Sequence, residues 1–193
     1  MKNRIKAVCV FCSSSDAVDS RYRSEAAALG EAIARNGYSL VFGGVDVGLM
    51  GVLAHAVLEH GAKVVGVIPS LIRDRGIAFE EADELIVTGD LRERKAVMES
   101  ISDAFVALPG GFGTLDEIMD VLTRKQLALH QKPIALINID GYFKPLAEQF
   151  ELMYGRNFAK GVYRQLLRFV DDAGGLMEYL KSYMPPVLET KWF

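Results

Sequence analysis

Pro109, Gly110, Gly111, Phe112, Gly113, Thr114, Leu115, Asp116 and Glu117 follow one another in this chain. Their types suit the capture of an anion beside a carboxylate. Glycines without a Cβ let backbone N–H groups come close to a ligand, and a helix starting here adds partial positive charge from its free N–H groups. Phosphate is the anion expected. The same residues also make an ordinary tight connection, in which Thr114 and Glu117 form an S/T-x-x-E capping box, so a second signal has to decide.

That signal lies about twenty residues upstream. Asp90 can N-cap a helix from Leu91 to Ile101, and on it Arg94, Val97, Met98 and Ile101 share one face at i, i+3, i+4 and i+7. Arg94 therefore points where the apolar residues point, and Lys95 sits at the margin of that stripe with Leu91 and Met98. An inward guanidinium without a partner costs several kcal/mol, so it should meet a carboxylate or a ligand anion. Glu117 is the attractive partner; the alternative is that Arg94 lays its stem along the core edge and keeps its head in water.

A third cluster repeats the logic. Tyr38 to Phe42 reads as a strand, Gly43-Gly44-Val45-Asp46-Val47-Gly48 as a glycine-bearing turn, and Leu49 to Glu59 as a helix ending at His60-Gly61. In an open parallel sheet the loops leaving the carboxyl ends of the strands gather on one edge, so this turn and the Pro109 turn can serve one pocket.

The elements that must hold these residues alternate. Ala7 to Cys12, Leu40 to Phe42, Lys63 to Ile68, Glu84 to Val87, Ala104 to Leu108, Ile134 to Ile139 and Leu167 to Val170 read as strands. Helical spacing covers Ser20 to Asn36, Leu115 to Leu129, Tyr142 to Tyr154 and Ala173 to Met184 in addition to the two helices above. This pattern predicts an α/β fold: a Rossmann-like, doubly wound parallel sheet of about seven strands with helices on both faces. A length of 193 residues gives one domain over the whole chain, with a polar and aromatic tail at 185–193.

The three segments together resemble the "Lonely Guy" (LOG) phosphoribohydrolases, long mislabelled as lysine decarboxylases. The likeness rests on P-G-G-x-G-T-x-x-E at Pro109 to Glu117 and on the Arg94-Lys95 pair. It extends through Val10 to Ser15, Gly48-Leu49-Met50-Gly51, Ser102 to Phe105, and Gln126 to His130 with Lys132-Pro133. The resemblance implies hydrolysis of the N-glycosidic bond of a purine or cytokinin nucleoside 5′-monophosphate, giving free base and ribose 5-phosphate. It implies Arg94 and Glu117 as the catalytic pair. Ser14, Gly43, Gly44, Lys95, Met98, Gly110, Gly111, Phe112, Gly113, Thr114 and Thr123, together with Arg94 and Glu117, are implied as substrate-binding positions. It also implies a homodimer with the site near the subunit interface, and neither a metal nor a cofactor.

The chain departs from the family pattern at several places. Val45 stands where a third glycine is usual, with the acidic Asp46 next to it; Cys12-Ser13-Ser14 replaces C-G-S-S; Arg75-Gly76 replaces an R/K-E dipeptide; and Arg124 stands where tryptophan is common. These bear on which base is accepted.

Other classes fare worse. A formal charge of -3 argues against a nucleic-acid polymer, which calls for a basic face. The apolar run after Lys2-Asn3-Arg4-Ile5-Lys6 is too short for a signal peptide, and no segment reaches membrane-spanning length, so the cytoplasm is expected. Cys9 and Cys12 form a lone C-x-x-C whose spacing on a strand sends them to opposite faces, as buried structural residues. His55, His60 and His130 lack metal-ligand spacing, and a packing or surface role fits each. A dinucleotide dehydrogenase needs G-x-G-x-x-G after the first strand, where this chain has Ser13-Ser14-Ser15-Asp16. The stronger rival is a non-catalytic carrier of a phosphorylated cofactor, similar to the molybdenum-cofactor carriers, because it would use the same glycine turn.

Overall fold

A computed structural model describes residues 5–187. Seven parallel strands form one sheet in the order β4-β3-β2-β1-β5-β6-β7. They are β1 (Ala7–Phe11), β2 (Ser39–Phe42), β3 (Val64–Pro69), β4 (Glu84–Thr88), β5 (Ala104–Ala107), β6 (Ile134–Ile137) and β7 (Arg168–Val170). Every strand predicted from the sequence is present. The inner strands β1, β5 and β6 are apolar runs buried along almost their whole length, as strands covered on both faces must be. The edge strands β4 and β7 carry the exposed Glu84 and Arg168.

Alternation along β1 shows how the sheet divides the core. Val8, Val10 and Cys12 join Leu29, Leu53 and Leu176 on one face, where α1 (Ser20–Arg35), α2 (Gly48–Glu59) and α7 (Ala173–Ser182) pack. Cys9 and Phe11 join Met98, Phe105, Ile118 and Phe150 on the other, which belongs to α4 (Leu91–Ile101), α5 (Phe112–Gln126) and α6 (Lys144–Gly155). The two cysteines thus lie on opposite faces, as their spacing predicts. Each fully buried large side chain in these layers contributes about 1.5–3 kcal/mol, so the strands and the helices carrying the site are fixed by packing.

Asp19, Asp90 and Asp172 cap α1, α4 and α7 with their carboxylates. At Asp90 the Glu93 and Arg92 N–H groups hold the carboxyl below the usual carboxylate range. Three features depart from the sequence reading. The run Ser70–Arg73 forms a short helix, α3. Ile139 leaves β6 for a 3₁₀ turn through Gly141. Helix α5 starts at Phe112 and ends at Gln126, three residues before the predicted span at each end. Gly111 is its N-cap and Thr114 its third helical residue, so the Thr114–Glu117 capping box does not form and Glu117 is free to reach elsewhere. Of the 185–193 tail, Pro185 to Val187 has no regular structure; 188–193 lie outside the described residues, as do residues 1–4 of the N-terminal run.

Candidate active site

The strand order reverses at β1. Chain leaving it goes through α1 to β2 on one side, whereas its other neighbour, β5, is reached only after β4 and α4. In such sheets the loops leaving the two central strands part and leave a crevice at the carboxyl edge. Here those loops are 12–19 and 108–111, and the Gly43 turn after β2 stands beside them. The three loops touch. Leu49 N donates to Ser13 O at 2.9 Å. Gly48, at φ +60°, lies so close to the first loop that a Cβ there would sit 2.5 Å from the Ser14 carbonyl carbon. A Cβ on Gly110 would in turn lie 3.1 Å from Ser13 N.

Arg94 and Met98 are the buried residues of α4. The Arg94 guanidinium donates through Nη2 to Glu117 Oε1 of α5, and the two residues are only 9% and 4% exposed. Burial pulls the Arg94 pKa below the ordinary guanidinium value, while the group stays charged at neutral pH. Its Nε is buried and, among the described residues, has no acceptor. Its Nη1 lies 3.6 Å from where a Gly43 Cβ would stand. The ion pair therefore borders the Gly43 turn, and the inward reading of Arg94 holds over the snorkelling one. Beside it, Lys95 Nζ donates to both Asp116 carboxylate oxygens at 3.0 and 3.1 Å and lies 3.8 Å from Asp120.

The glycine turn leads straight into α5, whose N-terminus has no side-chain cap. By contrast, the start of α2 is already occupied: Gly48 N donates to the Asp16 carboxylate at 3.1 Å. That carboxyl is held below its usual range by its hydrogen bonds with Arg23 and Gly48. Gly111, Phe112 and Gly113 are exposed and Thr114 is buried. An open helix start beside a buried arginine and a lysine is an electrostatically suited phosphate cradle.

The Gly43 turn is braced by the chain after α3. Val45 pairs with Ala78 in an antiparallel bridge, Asp46 N donates to Ile77 O, and Phe79 N donates to Gly44 O at 2.9 Å. The Asp46 carboxylate meets His55 Nε2 at 3.1 Å, and the His55 ring stands edge-on to Phe79, centroids 4.8 Å apart. His55 thus packs against this loop, His60 Nδ1 meets Ala56 O at 2.8 Å, and His130 Nε2 meets Val121 O at 2.8 Å. Among the described residues no group of His, Cys, Asp or Glu is arranged to hold a metal ion, and no helix is long and apolar enough to cross a membrane.

Of the residues singled out from the sequence, the fold brings Arg94, Glu117, Lys95, Gly43 and the Gly110 to Thr114 turn to one edge, with Gly44 and the exposed Ser14 in the neighbouring loops. Met98 lies one turn below Arg94 and is 1% exposed in the core. Thr123 stands apart. Its hydroxyl bonds Met119 O, and it lines an apolar cavity of about 250 Å³ with Leu122, Met153, Phe158 and Tyr163. Sequence reasoning missed Asp116 as the partner of Lys95, although its place beside Glu117 on the first turns of α5 was a usable signal. It also missed Tyr142, whose hydroxyl donates to Gly110 O; its position at a strand-end turn was the available clue.

A model for the family described as possible lysine decarboxylase matches residues 50–180. The cytokinin riboside 5′-monophosphate phosphoribohydrolase LOG3 of Arabidopsis thaliana is 37% identical over 184 residues, covering 95% of this chain and 86% of its own. The LOG enzyme of Oryza sativa subsp. japonica is 36% identical, covering 95% of this chain and 76% of its own. The chain belongs to the LOG family. Among solved structures, this LOG-family chain is similar to the molybdenum cofactor binding protein of Rippkaea orientalis, with a TM-score of 0.72 and 25% identity over 93% of this chain and 97% of the other. The molybdenum cofactor carrier protein of Chlamydomonas reinhardtii gives 0.70 and 25% over 92% and 97%. The LOG signature Pro109 to Glu117 and its Arg94-Lys95 pair are therefore the segments that the fold joins through the buried ion pair.

Proposed function

We propose that this LOG-family enzyme hydrolyses the N-glycosidic bond of a purine nucleoside 5′-monophosphate, AMP or an N6-substituted AMP, to free base and ribose 5-phosphate. The observation that carries the reading is the buried Arg94–Glu117 pair at the switch point, next to an uncapped, glycine-built helix start. Bond cleavage moves the C1′–N9 electron pair to the base and leaves positive charge on the ribose. The Glu117 carboxylate stabilises that charge and orients the attacking water, whose oxygen bonds C1′ and whose proton leaves with the base. Arg94 fixes Glu117, while Lys95 and the Gly110 to Thr114 turn hold the 5′-phosphate, so that binding energy far from the reacting bond aligns it.

Thr123 supports a homodimer. It lies six residues beyond Glu117, about 9 Å along the helix axis, and among the described residues its hydroxyl bonds Met119 O and not the ion pair; the apolar cavity beside it and Phe158, 81% exposed, suit a second copy. In that arrangement Thr123 serves the partner's site. Light scattering at micromolar concentration checks this, and a monomer would remove it. The small ligand, the formal charge of -3 and the buried free thiols fit a cytoplasmic enzyme that does not act on nucleic-acid polymers.

The carrier reading draws on the two molybdenum-cofactor proteins, at 25% identity, against 36% and 37% for the hydrolases. Incubation with AMP and with isopentenyladenosine monophosphate, beside a Glu117→Gln variant, separates the two. Release of base and ribose 5-phosphate that the variant abolishes establishes the hydrolase and ranks the substrates. Tight nucleotide binding without release favours the carrier.

A further inference from the structure

The chain leaving β6 makes an unusual turn. Asp140 and Gly141 both adopt left-handed backbone, at φ 51° and 74°, a conformation that residues with a side chain enter singly and seldom. Neighbours hold it there. Asp140 is ion-paired with Arg21 at the start of α1, and Asn138 Oδ1 accepts from Phe143 N at 2.7 Å. The outcome is a fixed placement of Tyr142, whose ring meets Tyr22 and Phe143 edge-on, with centroids 6.2 and 5.2 Å away. Its hydroxyl donates to the Gly110 carbonyl at 2.7 Å.

We infer that Tyr142 is a positioning residue for the phosphate cradle, setting the Gly110–Gly111 peptide so that the Gly111 N–H faces the ligand. In a planar trans peptide the C=O and the following N–H point in opposite directions. Anchoring the Gly110 oxygen on Tyr142 therefore turns the Gly111 N–H away from the β6 turn. Among the described residues the Gly110 carbonyl takes no backbone bond from the helix; the first backbone bond of α5 back to the turn runs from Leu115 N to Gly111 O. Without an anchor, a peptide between two glycines rotates through a wide range of backbone angles. Tyr142 removes that freedom and leaves the Gly111 N–H to act with the open N–H groups of α5.

The inference rests on the phosphate reading of the turn, and the test keeps the two apart. Tyr142→Phe retains the ring and its packing and deletes only the hydroxyl. Steady-state kinetics with AMP, and inhibition by ribose 5-phosphate and by adenine, are measured for wild type, Tyr142→Phe and Tyr22→Phe. The expected result is a rise of about 5-fold in KM for AMP and in Ki for ribose 5-phosphate, the worth of one hydrogen bond. The kcat value and the adenine Ki stay within 2-fold, the melting temperature within about 3 °C, and Tyr22→Phe matches wild type. An unchanged ribose 5-phosphate Ki in Tyr142→Phe overturns the assignment. So does a parallel rise for adenine with a lower melting temperature, which marks a merely structural role. Wild type that neither ribose 5-phosphate nor inorganic phosphate inhibits overturns the phosphate reading beneath it.

Discussion

Arg94 and Glu117, 23 residues apart in the chain, belong to the helices immediately before and after β5 and close a buried ion pair above that strand. Two charged groups removed from water in this way hold each other's position. The carboxylate proposed for the chemistry is aimed by a guanidinium that burial has already immobilised.

Replacing Glu117 separates chemistry from stability. Glu117→Gln keeps an acceptor for Arg94 but not its counter-charge, and should lose about 10²- to 10⁴-fold in kcat with a smaller loss of stability than truncation causes. Glu117→Ala should lose the same activity and also about 3–5 kcal/mol of stability, because Arg94 is left as an uncompensated buried charge. Product quantification and urea denaturation check both; turnover retained in Glu117→Gln would end the catalytic assignment.

Gly48 is the junction of two loops. Gly48→Ala places a Cβ 2.5 Å from the Ser14 carbonyl carbon at a backbone φ of +60°, so it should cost at least about 1–2 kcal/mol. Displacement of 13–15 should also raise the KM for the nucleotide. Wild-type stability and KM together would show that the loops do not depend on this contact.

Lys125 is fully buried on α5, donating to Leu166 O at 2.7 Å and lying 5.0 Å from the Tyr183 ring centroid. Burial pulls its amine from 10.5 down to about 8. Below pH 8 it is protonated folded and unfolded, and the folded state carries the desolvation cost. Between pH 8 and 10.5 the unfolded chain binds more protons, so wild-type stability rises with pH relative to Lys125→Met, by about 3 kcal/mol across that window. Urea denaturation of both proteins at the two ends reads the difference; a constant difference sinks the prediction.

The two cysteines should be silent in the native enzyme. Burial pushes both thiols up to about 12, which leaves almost no thiolate at neutral pH. A colorimetric thiol reagent should find none before denaturation and two afterwards, and a reductant should leave the melting temperature unchanged. Rapid native labelling would contradict the burial.

Much of this was legible in the sequence because it follows from periodicity. Apolar runs marked all seven strands, and the i, i+4 placement of Arg94 and Met98 put the guanidinium inward before any fold was known. The start of α5 was not legible. Gly113 and Thr114 carry turn and cap preferences, but the open N-terminus of this helix is set by the strand end and by Gly110's contacts with the first loop, both tertiary. Lys125 was equally hidden: a lysine in a helix reads as solvated, and only the cover from Leu166 and Tyr183 buries it. Ile139 belonged to the apolar run by type, yet the Asp140–Gly141 turn ended the strand before it.

Everything proposed to act on the reacting bond and on the phosphate lies between Asp90 and Gln126, in one α4–β5–α5 stretch, apart from the brace that Tyr142 supplies. The walls come from elsewhere: the loops after β1 and β2, and the segment that Val45 and Phe79 fasten. The proposed cleaving pair and the outer walls of the crevice thus come from different pieces of chain. Of the positions that depart from the family pattern, Val45 and Asp46 stand in the walls, whereas Arg124 stands on the last turn of α5, so altering the Gly43 turn leaves the proposed cleaving pair on its own unbroken stretch of chain.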